Sequence, residues 1–123
     1  MSEYTKHLTP RPELRERIIE TAVKAFAAQG IKSITMDDIA TSLGISKRTL
    51  YEVFPDKETL LEECILRGQK EGDEYLKNVL ATSENVLEVL LKCYQRSIEK
   101  FHATNKKFFE DIKKYPKAYK LMT

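Results

Sequence analysis

One segment, residues 34–57 with the sequence ITMDDIATSLGISKRTLYEVFPDK, constrains the fold more than any other part of the chain. Its first half has apolar residues at helical spacing, which predicts a short amphipathic helix. Gly44 follows this stretch, at a position where a residue that tolerates a left-handed backbone commonly ends a helix. The apolar positions are Met36, Ile39, Ala40 and Leu43.

Capping residues predict where two helices begin. Thr35 is suited to cap the first helix, and Asp38 has the spacing of a capping box, although Glu or Gln is preferred there. Ser46 is suited to cap a second helix, predicted over residues 47–54, and Pro55 ends it. Two helices joined by a turn of three to four residues that contains glycine form a helix-turn-helix.

The second helix carries two cations in its first turn, Lys47 and Arg48. The helix dipole disfavours each of them there by about 0.3–1 kcal/mol, so folding alone gives no reason for their position. A polyanion does, because recognition helices place their N-terminal residues against base edges in the major groove. Arg48 is suited to a bidentate pair with guanine. Thr49 and Tyr51 offer hydroxyl groups to phosphates.

The order of residues along this segment carries a family resemblance. The matching positions are Thr35-Met36-Asp37-Asp38-Ile39-Ala40, Leu43-Gly44-Ile45-Ser46, Thr49-Leu50-Tyr51, Phe54-Pro55-Asp56-Lys57 and Leu60-Leu61. This pattern resembles the DNA-binding half of a TetR-family transcriptional regulator and covers about the first half of the chain. The resemblance implies an all-helical, usually dimeric bacterial repressor, whose C-terminal half binds a small molecule that releases it from its operator.

The resemblance also implies roles for individual residues. Thr35 would face a phosphate at a helix N-terminus, Tyr51 would reach another phosphate, and Lys57 would clamp the DNA backbone. The complete set of expected DNA-binding residues is Thr35, Ser46, Lys47, Arg48, Thr49, Tyr51 and Lys57.

Three positions depart from the family pattern. Val53 stands where many members carry His or Tyr, and Asp37 stands where some relatives use a basic residue. Glu52 places a carboxylate on the recognition helix, where it either accepts a hydrogen bond from a cytosine amino group or points into solvent.

Composition bounds the class of protein. Charged residues make up 33% of the chain and hydrophobic residues 41%, the balance of a folded soluble domain. The net charge is only +2, so the case for nucleic acid depends on local placement of cations. The polar start, MSEYTKHLTPRPE, is unlike a signal peptide, and no apolar run is long enough to span a membrane. We expect a cytoplasmic protein without a membrane partner.

No catalytic or metal site can be assembled from the sequence. Cys64 and Cys93 lie far apart and lack metal-ligand spacing, so free thiols are favoured over a disulfide. A glycine-rich phosphate loop, a nucleophile elbow and an HExxH motif are absent from the sequence. We therefore expect no enzymatic activity, no cofactor and no metal.

The predicted fold class is all-α: a three-helix DNA-binding head followed by the first helices of a helical regulatory domain. Residues 1–10 are expected to form a flexible arm that either touches DNA or is a frayed terminus. Residues 11–57 are expected to form the helix-turn-helix core, which extends to about residue 70 with the start of the fourth helix. Residues 71–123 are expected to form a partial ligand-binding and dimerisation domain.

The C-terminal half is predicted to contain further helices. A helix capped by Asp56 either continues past Gly68 and Gly72 or kinks there, because glycine weakens a helix interior. Thr82 or Ser83 is predicted to cap the next helix. A wide apolar face follows on that helix, formed by Val86, Leu87, Leu90, Leu91, Tyr94, Ile98 and Phe101.

Four aromatic residues in this half have two interpretations. Tyr94, Phe101, Phe108 and Phe109 either line an effector pocket or fill a core, and the spacing favours core. The chain also ends early for the resemblance, which leaves us to expect apolar faces without the helices that would cover them.

Together these observations predict a sequence-specific DNA-binding transcriptional regulator, a repressor released by a small-molecule effector. Its expected partners are a double-stranded DNA operator, a second copy in a homodimer of the complete protein, and that effector. The alternative interpretation is a helical protein–protein interaction module without specific DNA binding.

Overall fold

The computed structural model describes residues 11–123, and the expectation of a flexible arm at residues 1–10 lies outside that range. Residues 11–123 contain helices and no strand, which confirms the all-α prediction. The helices are α1 (Arg11–Gln29), α2 (Met36–Leu43), α3 (Lys47–Val53), α4 (Lys57–Thr82), α5 (Val86–Ala103), α6 (Lys106–Asp111) and α7 (Pro116–Met122), with a 3-10 turn over Ile112–Lys114 between the last two.

The helix-turn-helix has the predicted caps. The Thr35 hydroxyl accepts a hydrogen bond from the backbone N–H of Asp38 at 3.1 Å, and the Asp38 carboxylate accepts one from the backbone N–H of Thr35 at 2.9 Å. This reciprocal pair is the capping box that the spacing predicted. Gly44 ends α2 with a φ of +69°, a conformation that suits glycine. Ser46 caps α3, which ends at Val53, one residue earlier than predicted.

The hydrophobic core of the head draws on both halves of the chain. Residues from α1, α2, α3 and the first third of α4 surround Phe26, Leu50 and Phe54, which are buried. Ile112 and Ala118, near the C-terminus, are buried in the same cluster. The core therefore crosses the domain boundary that we expected near residue 71.

Asn105, between α5 and α6, binds the C-terminal end of α1. Its backbone N–H donates a hydrogen bond to the carbonyl of Ala27 at 2.7 Å, and its side-chain amide donates one to the carbonyl of Ala28 at 3.1 Å. The last carbonyls of a helix have no partner within the helix. The α5–α6 connection therefore supplies partners that α1 lacks.

Asp111, at the end of α6, binds the turn that follows α1. Its carboxylate accepts hydrogen bonds from the backbone N–H groups of Ile31 at 3.0 Å and Lys32 at 2.9 Å. Gly30, just before, has a φ of +86°, and a Cβ atom there would lie 2.7 Å from Cβ of Lys107. Glycine is thus required by both the backbone conformation and the close approach of α6. We call the contacts of Asn105 and Asp111 with residues 27–32 the α1 clasp.

The long helix α4 is continuous through Gly68 and Gly72, which settles the choice between a continuous helix and a break. Asp56 caps it, as predicted, by accepting a hydrogen bond from the backbone N–H of Thr59 at 2.7 Å. The predicted start of the next helix was wrong. Ser83 is the C-cap of α4, and Asn85 caps α5 by accepting a hydrogen bond from the backbone N–H of Glu88 at 2.9 Å.

The apolar face of α5 is exposed, so the interpretation of its aromatic residues as core was wrong. Val86, Tyr94 and Phe101 are 73%, 65% and 61% exposed. No described residue of α5 is buried, because the helix contacts the rest of the described chain mainly through α4. Apolar periodicity predicted the face correctly but not its exposure.

Both cysteines are free thiols, as predicted. Cys64 is buried against α1, where its thiol donates a weak hydrogen bond to the carbonyl of Ile19 at 3.9 Å. Burial raises the pKa of the Cys64 thiol to about 12. It is therefore protonated at neutral pH and serves as an apolar core residue.

Candidate nucleic-acid interface

Helix α3 is anchored by one face and presents the other to solvent. Leu50 is completely buried, and Phe54 immediately after the helix is buried as well. Lys47, Arg48 and Tyr51 are exposed. The helix is therefore held against the head while its polar N-terminal turn remains accessible.

Lys47 has an intramolecular partner that was not predicted from the sequence. Its ammonium lies 3.0 Å from the carboxylate of Asp37, in the first turn of α2, and both side chains are largely exposed. The hydrogen bond and charge of Asp37 raise the pKa of Lys47. Folding therefore does give a reason for a cation at position 47, and the opposite prediction from the sequence was wrong for Lys47. The same contact places the N-termini of α2 and α3 side by side.

Arg48 is the most accessible cation of the interface. Its guanidinium lies 3.7 Å from the carboxylate of Glu52, one helical turn later, while its side chain is 91% exposed. Ion pairs at this level of exposure contribute little to stability and are screened by salt. Neither Lys47 nor Arg48 is covered by the rest of the described chain, so both cations can exchange a carboxylate for a phosphate or a base.

Three of the four residues whose hydroxyl groups are expected to contact DNA take part in helix-capping contacts. Thr35 belongs to the capping box of α2, and Ser46 accepts a hydrogen bond from the backbone N–H of Thr49 at 3.1 Å. The Ser46 and Thr49 hydroxyl oxygens also lie 2.8 Å apart. These contacts fix the two helix N-termini, whose remaining N–H groups favour anions such as phosphate.

Tyr51 and Lys57 differ in how exposed their side chains are. Tyr51 is exposed on α3, whereas Lys57 is half-buried at the start of α4 with its ammonium 5.8 Å from the ring centre of Tyr115. Burial lowers the pKa of Lys57, and the charges of Asp111 and Asp38 oppose that shift. Lys57 therefore faces C-terminal residues in this structure, and a phosphate contact would require its side chain to turn outward.

A cleft of about 560 Å³ lies beside the head, lined by residues of α1, α4, α5, α6 and α7. Three of the four aromatic residues expected for an effector pocket line it: Phe101, Phe108 and Phe109. Tyr94 does not line it. Phe101 and Phe109 stack with ring centres 5.3 Å apart, and Phe108 meets Phe109 edge-on at 5.6 Å.

Two other kinds of feature are absent from the described residues. Residues 11–123 contain no group of His, Cys, Asp and Glu side chains arranged to hold a metal ion. No helix in that range is long and apolar enough to cross a membrane.

The part of the chain that contains this interface is similar to known proteins. The model of the bacterial regulatory proteins of the tetR family matches residues 18–64, which contain α2, α3 and most of α1. The negative transcriptional regulator IcaR of the biofilm operon icaADBC in Staphylococcus aureus is 32% identical over 72 residues, which is 58% of this chain and 37% of IcaR. The uncharacterized HTH-type transcriptional regulator YhgD of Bacillus subtilis is 32% identical over 101 residues, which is 79% of this chain and 52% of YhgD.

Solved structures show the same fold. A protein of Mesorhizobium loti described as a TetR-family transcriptional regulator aligns with a TM-score of 0.71 at 24% identity, over 92% of this chain and 60% of that one. A TetR-family regulator of Pectobacterium atrosepticum aligns with a TM-score of 0.61 at 28% identity, over 72% of this chain and 46% of that one. The chain thus spans about 37–60% of the length of these relatives. The helix-turn-helix segment, residues 18–64, therefore belongs to the TetR family of bacterial regulatory proteins.

Proposed function

We propose that this chain forms the DNA-binding part of a sequence-specific transcriptional repressor. The observation that carries the proposal is the position of Arg48. Its exposed guanidinium stands in the first turn of a helix whose opposite face is fixed in the core by Leu50. Such a helix can enter the major groove with its N-terminal residues against base edges.

In this proposal each candidate residue has a distinct role. Arg48 reads a guanine through two parallel hydrogen bonds, and Lys47 contacts a phosphate or base edge after it leaves Asp37. The N-termini of α2 and α3, capped by Thr35 and Ser46, receive phosphates. The hydroxyls of Thr49 and Tyr51 and the ammonium of Lys57 bind the DNA backbone. The protein acts on DNA in the cytoplasm and carries out no catalysis.

Control by a partner and an effector belongs to the same proposal. In the complete protein, a homodimer would place two α3 helices in successive major grooves about 34–36 Å apart. The relative IcaR is named as a negative regulator, which supports repression over activation. A small molecule in the cleft beside the head would release the DNA, and Phe101, Phe108 and Phe109 would form its apolar contacts.

Two substitutions test the assignment of the interface residues. Arg48→Ala should lower the preference for operator over scrambled DNA by about tenfold or more, since a bidentate base contact contributes about 1–3 kcal/mol of discrimination. Lys57→Ala should weaken binding to all sequences and reduce the salt dependence, since a phosphate contact carries no sequence information. Fluorescence anisotropy with labelled duplexes at several salt concentrations measures both effects.

The parent chain is the reference, and Lys77→Gln on α4 controls for the loss of one exposed cation. If Arg48→Ala and Lys57→Ala both titrate operator DNA like the parent, the interface is assigned wrongly. If binding to a cellular partner is insensitive to salt and to competitor DNA, the chain is instead a protein-interaction module.

A further inference from the structure

The cleft beside the head is mostly apolar. Its walls include Phe26 from α1, Ile65 from α4 and Phe101 from α5, together with Phe108 and Phe109 from α6. Its volume of about 560 Å³ falls in the range of small-molecule sites, about 300–1,000 Å³. The apolar walls favour an occupant with a hydrocarbon or aromatic body.

The charges around this cleft all have one sign. Among the described residues that line it, Arg96 and Lys100 are the charged ones, and both are cations on α5. They lie one helical turn apart, so they share a face of that helix. Arg96 is held in place by the ring of Tyr75, whose centre lies 4.9 Å from its guanidinium carbon. No carboxylate lines the cleft to balance these charges within the described part of the chain.

We propose that this cleft binds an amphipathic organic anion, an apolar body that carries one carboxylate or a similar acidic group. The body packs against the phenylalanine side chains, and the acidic group pairs with Arg96 and Lys100. Charge-assisted hydrogen bonds of this kind are stronger than neutral ones. A ligand of the same shape with a cationic group is repelled. This inference rests on the proposed function, because it names the chemical class of the effector.

The position of the cleft connects it to the DNA-binding head. Two of its lining residues are Ala27, which belongs to the α1 clasp, and Thr104, which precedes Asn105 in sequence. In the clasp, the backbone N–H of Asn105 donates a hydrogen bond to the carbonyl of Ala27. An occupant therefore touches both sides of the joint between α1 and α6. Since α1 packs against α2 and α3, a shift at this joint moves the elements that face DNA.

Three probes with a common alkyl body test the ligand class: decanoate, decanol and decyltrimethylammonium, each below its micellar concentration. Isothermal titration of the DNA-free chain should show decanoate binding about tenfold or more tightly than either of the others, the contribution expected of a charge-assisted contact. Equal affinity for decanoate and decanol, or tighter binding of the cation, overturns the proposal.

Substitutions at the cations test the position of the acidic group. Lys100→Gln and Arg96→Gln should each reduce decanoate affinity about three- to tenfold and leave decanol binding unchanged. Lys77→Gln, a lysine on α4 outside the cleft, is the matched control and should bind decanoate like the parent. If all three variants bind decanoate equally, the head-group assignment is wrong.

A substitution that blocks the cleft distinguishes ligand binding in the cleft from ligand binding to the exposed apolar face of α5. Gly68 lines the cleft, and a Cβ atom added to it meets no atom within 4 Å, so Gly68→Leu adds a side chain at the cleft without a clash at Cβ. We expect Gly68→Leu to reduce decanoate binding at least tenfold, whereas Gly68→Ala, which makes the same helix-stabilising change, should retain more of it. Unchanged binding in Gly68→Leu would place the ligand elsewhere and overturn the proposal.

DNA binding is measured separately, so the two proposals can fail independently. Arg48→Ala should bind decanoate like the parent chain, because Arg48 does not line the cleft. If the parent chain does not bind DNA in a sequence-specific way, the proposed function is refuted, even if decanoate binds as expected.

Discussion

The pair between Lys47 and Asp37 sets the charge that the interface presents. In the DNA-free chain, the Asp37 carboxylate lies 3.0 Å from the Lys47 ammonium and partly neutralises it. In the Asp37→Asn variant, no carboxylate competes with phosphate for Lys47. We therefore expect DNA binding to be about two- to fivefold stronger, which is the size of the contribution of an exposed ion pair. The effect should be largest at low salt, and anisotropy titrations of operator DNA measure it.

The control for this prediction is Asp73→Asn, which makes the same charge change in the middle of α4. It should alter DNA affinity less than Asp37→Asn. Equal or weaker binding by Asp37→Asn would mean that Lys47 does not contact DNA, or that Asp37 supports the interface in another way.

The two cysteines should differ in reactivity. Burial raises the pKa of Cys64 to about 12 and encloses its side chain, whereas Cys93 is partly exposed. Because the thiolate is the reactive form, Cys64 should resist a thiol reagent such as Ellman's reagent at pH 8 until the chain unfolds. Cys93→Ala should then show almost no rapid reaction, and Cys64→Ala should keep it.

The pH dependence of stability follows from the same burial. Between the ordinary thiol pKa of 9.0 and the raised value of about 12, the folded chain keeps the Cys64 proton while the unfolded chain loses it. Stability therefore falls as pH rises through this window. Rapid labelling of Cys64 in the folded chain would contradict its assignment to the core.

At the residue scale, the sequence predicted the contacts that are local. The capping box of Thr35 and Asp38 and the cap of Ser46 join residues three apart, so spacing and side-chain chemistry define them. The pair between Asp37 and Lys47 joins two different helices, and its geometry depends on how the turn packs. The sequence feature from which this pair could have been predicted is the opposite charge of two residues in the first turns of adjacent helices.

At the scale of elements, the α1 clasp should contribute to stability through Asp111. Its carboxylate accepts hydrogen bonds from the backbone N–H groups of Ile31 and Lys32. Among the described residues, these two N–H groups have no other acceptor. Asp111→Ala should lower the free energy of unfolding by about 1–3 kcal/mol, because it leaves these N–H groups without their charged acceptor. Urea denaturation followed by circular dichroism measures the change.

Its neighbour provides the comparison. Glu110 is exposed on the same helix, and Glu110→Ala should change stability by less than about 0.5 kcal/mol. If the two variants unfold at the same urea concentration, Asp111 does not stabilise the end of α1. The joint between α1 and α6 is then weaker than its geometry indicates.

Element boundaries were predictable where a cap was unambiguous. The starts of α2, α3 and α4 follow from Thr35, Ser46 and Asp56. The start of α5 was misplaced because residues 82–85 offer several suitable caps, and only the structure shows that Asn85 is used. The clasp was not predictable, because Asp111 and Ile31 are 80 residues apart in sequence and helical periodicity carries no information on such pairs.

At the scale of the whole molecule, the structure combines a well-packed head with one helix, α5, whose apolar face is exposed. The head has one core, and residues as late as Ala118 contribute to it. Helix α5, by contrast, presents its apolar side chains to solvent. The sequence predicted an amphipathic helix there, but periodicity does not specify what covers an apolar face.

The proposed function requires that α3 recognise a DNA sequence. The most direct test is selection of bound fragments from a random DNA pool by the chain, followed by affinity measurements on the enriched sequence. We predict a near-palindromic motif whose half-sites are about one helical turn apart, bound with an affinity that falls roughly 10³–10⁵-fold between 50 and 200 mM salt if 6–10 phosphates are engaged. A pool without any enriched motif, and binding that is independent of salt, would contradict the account.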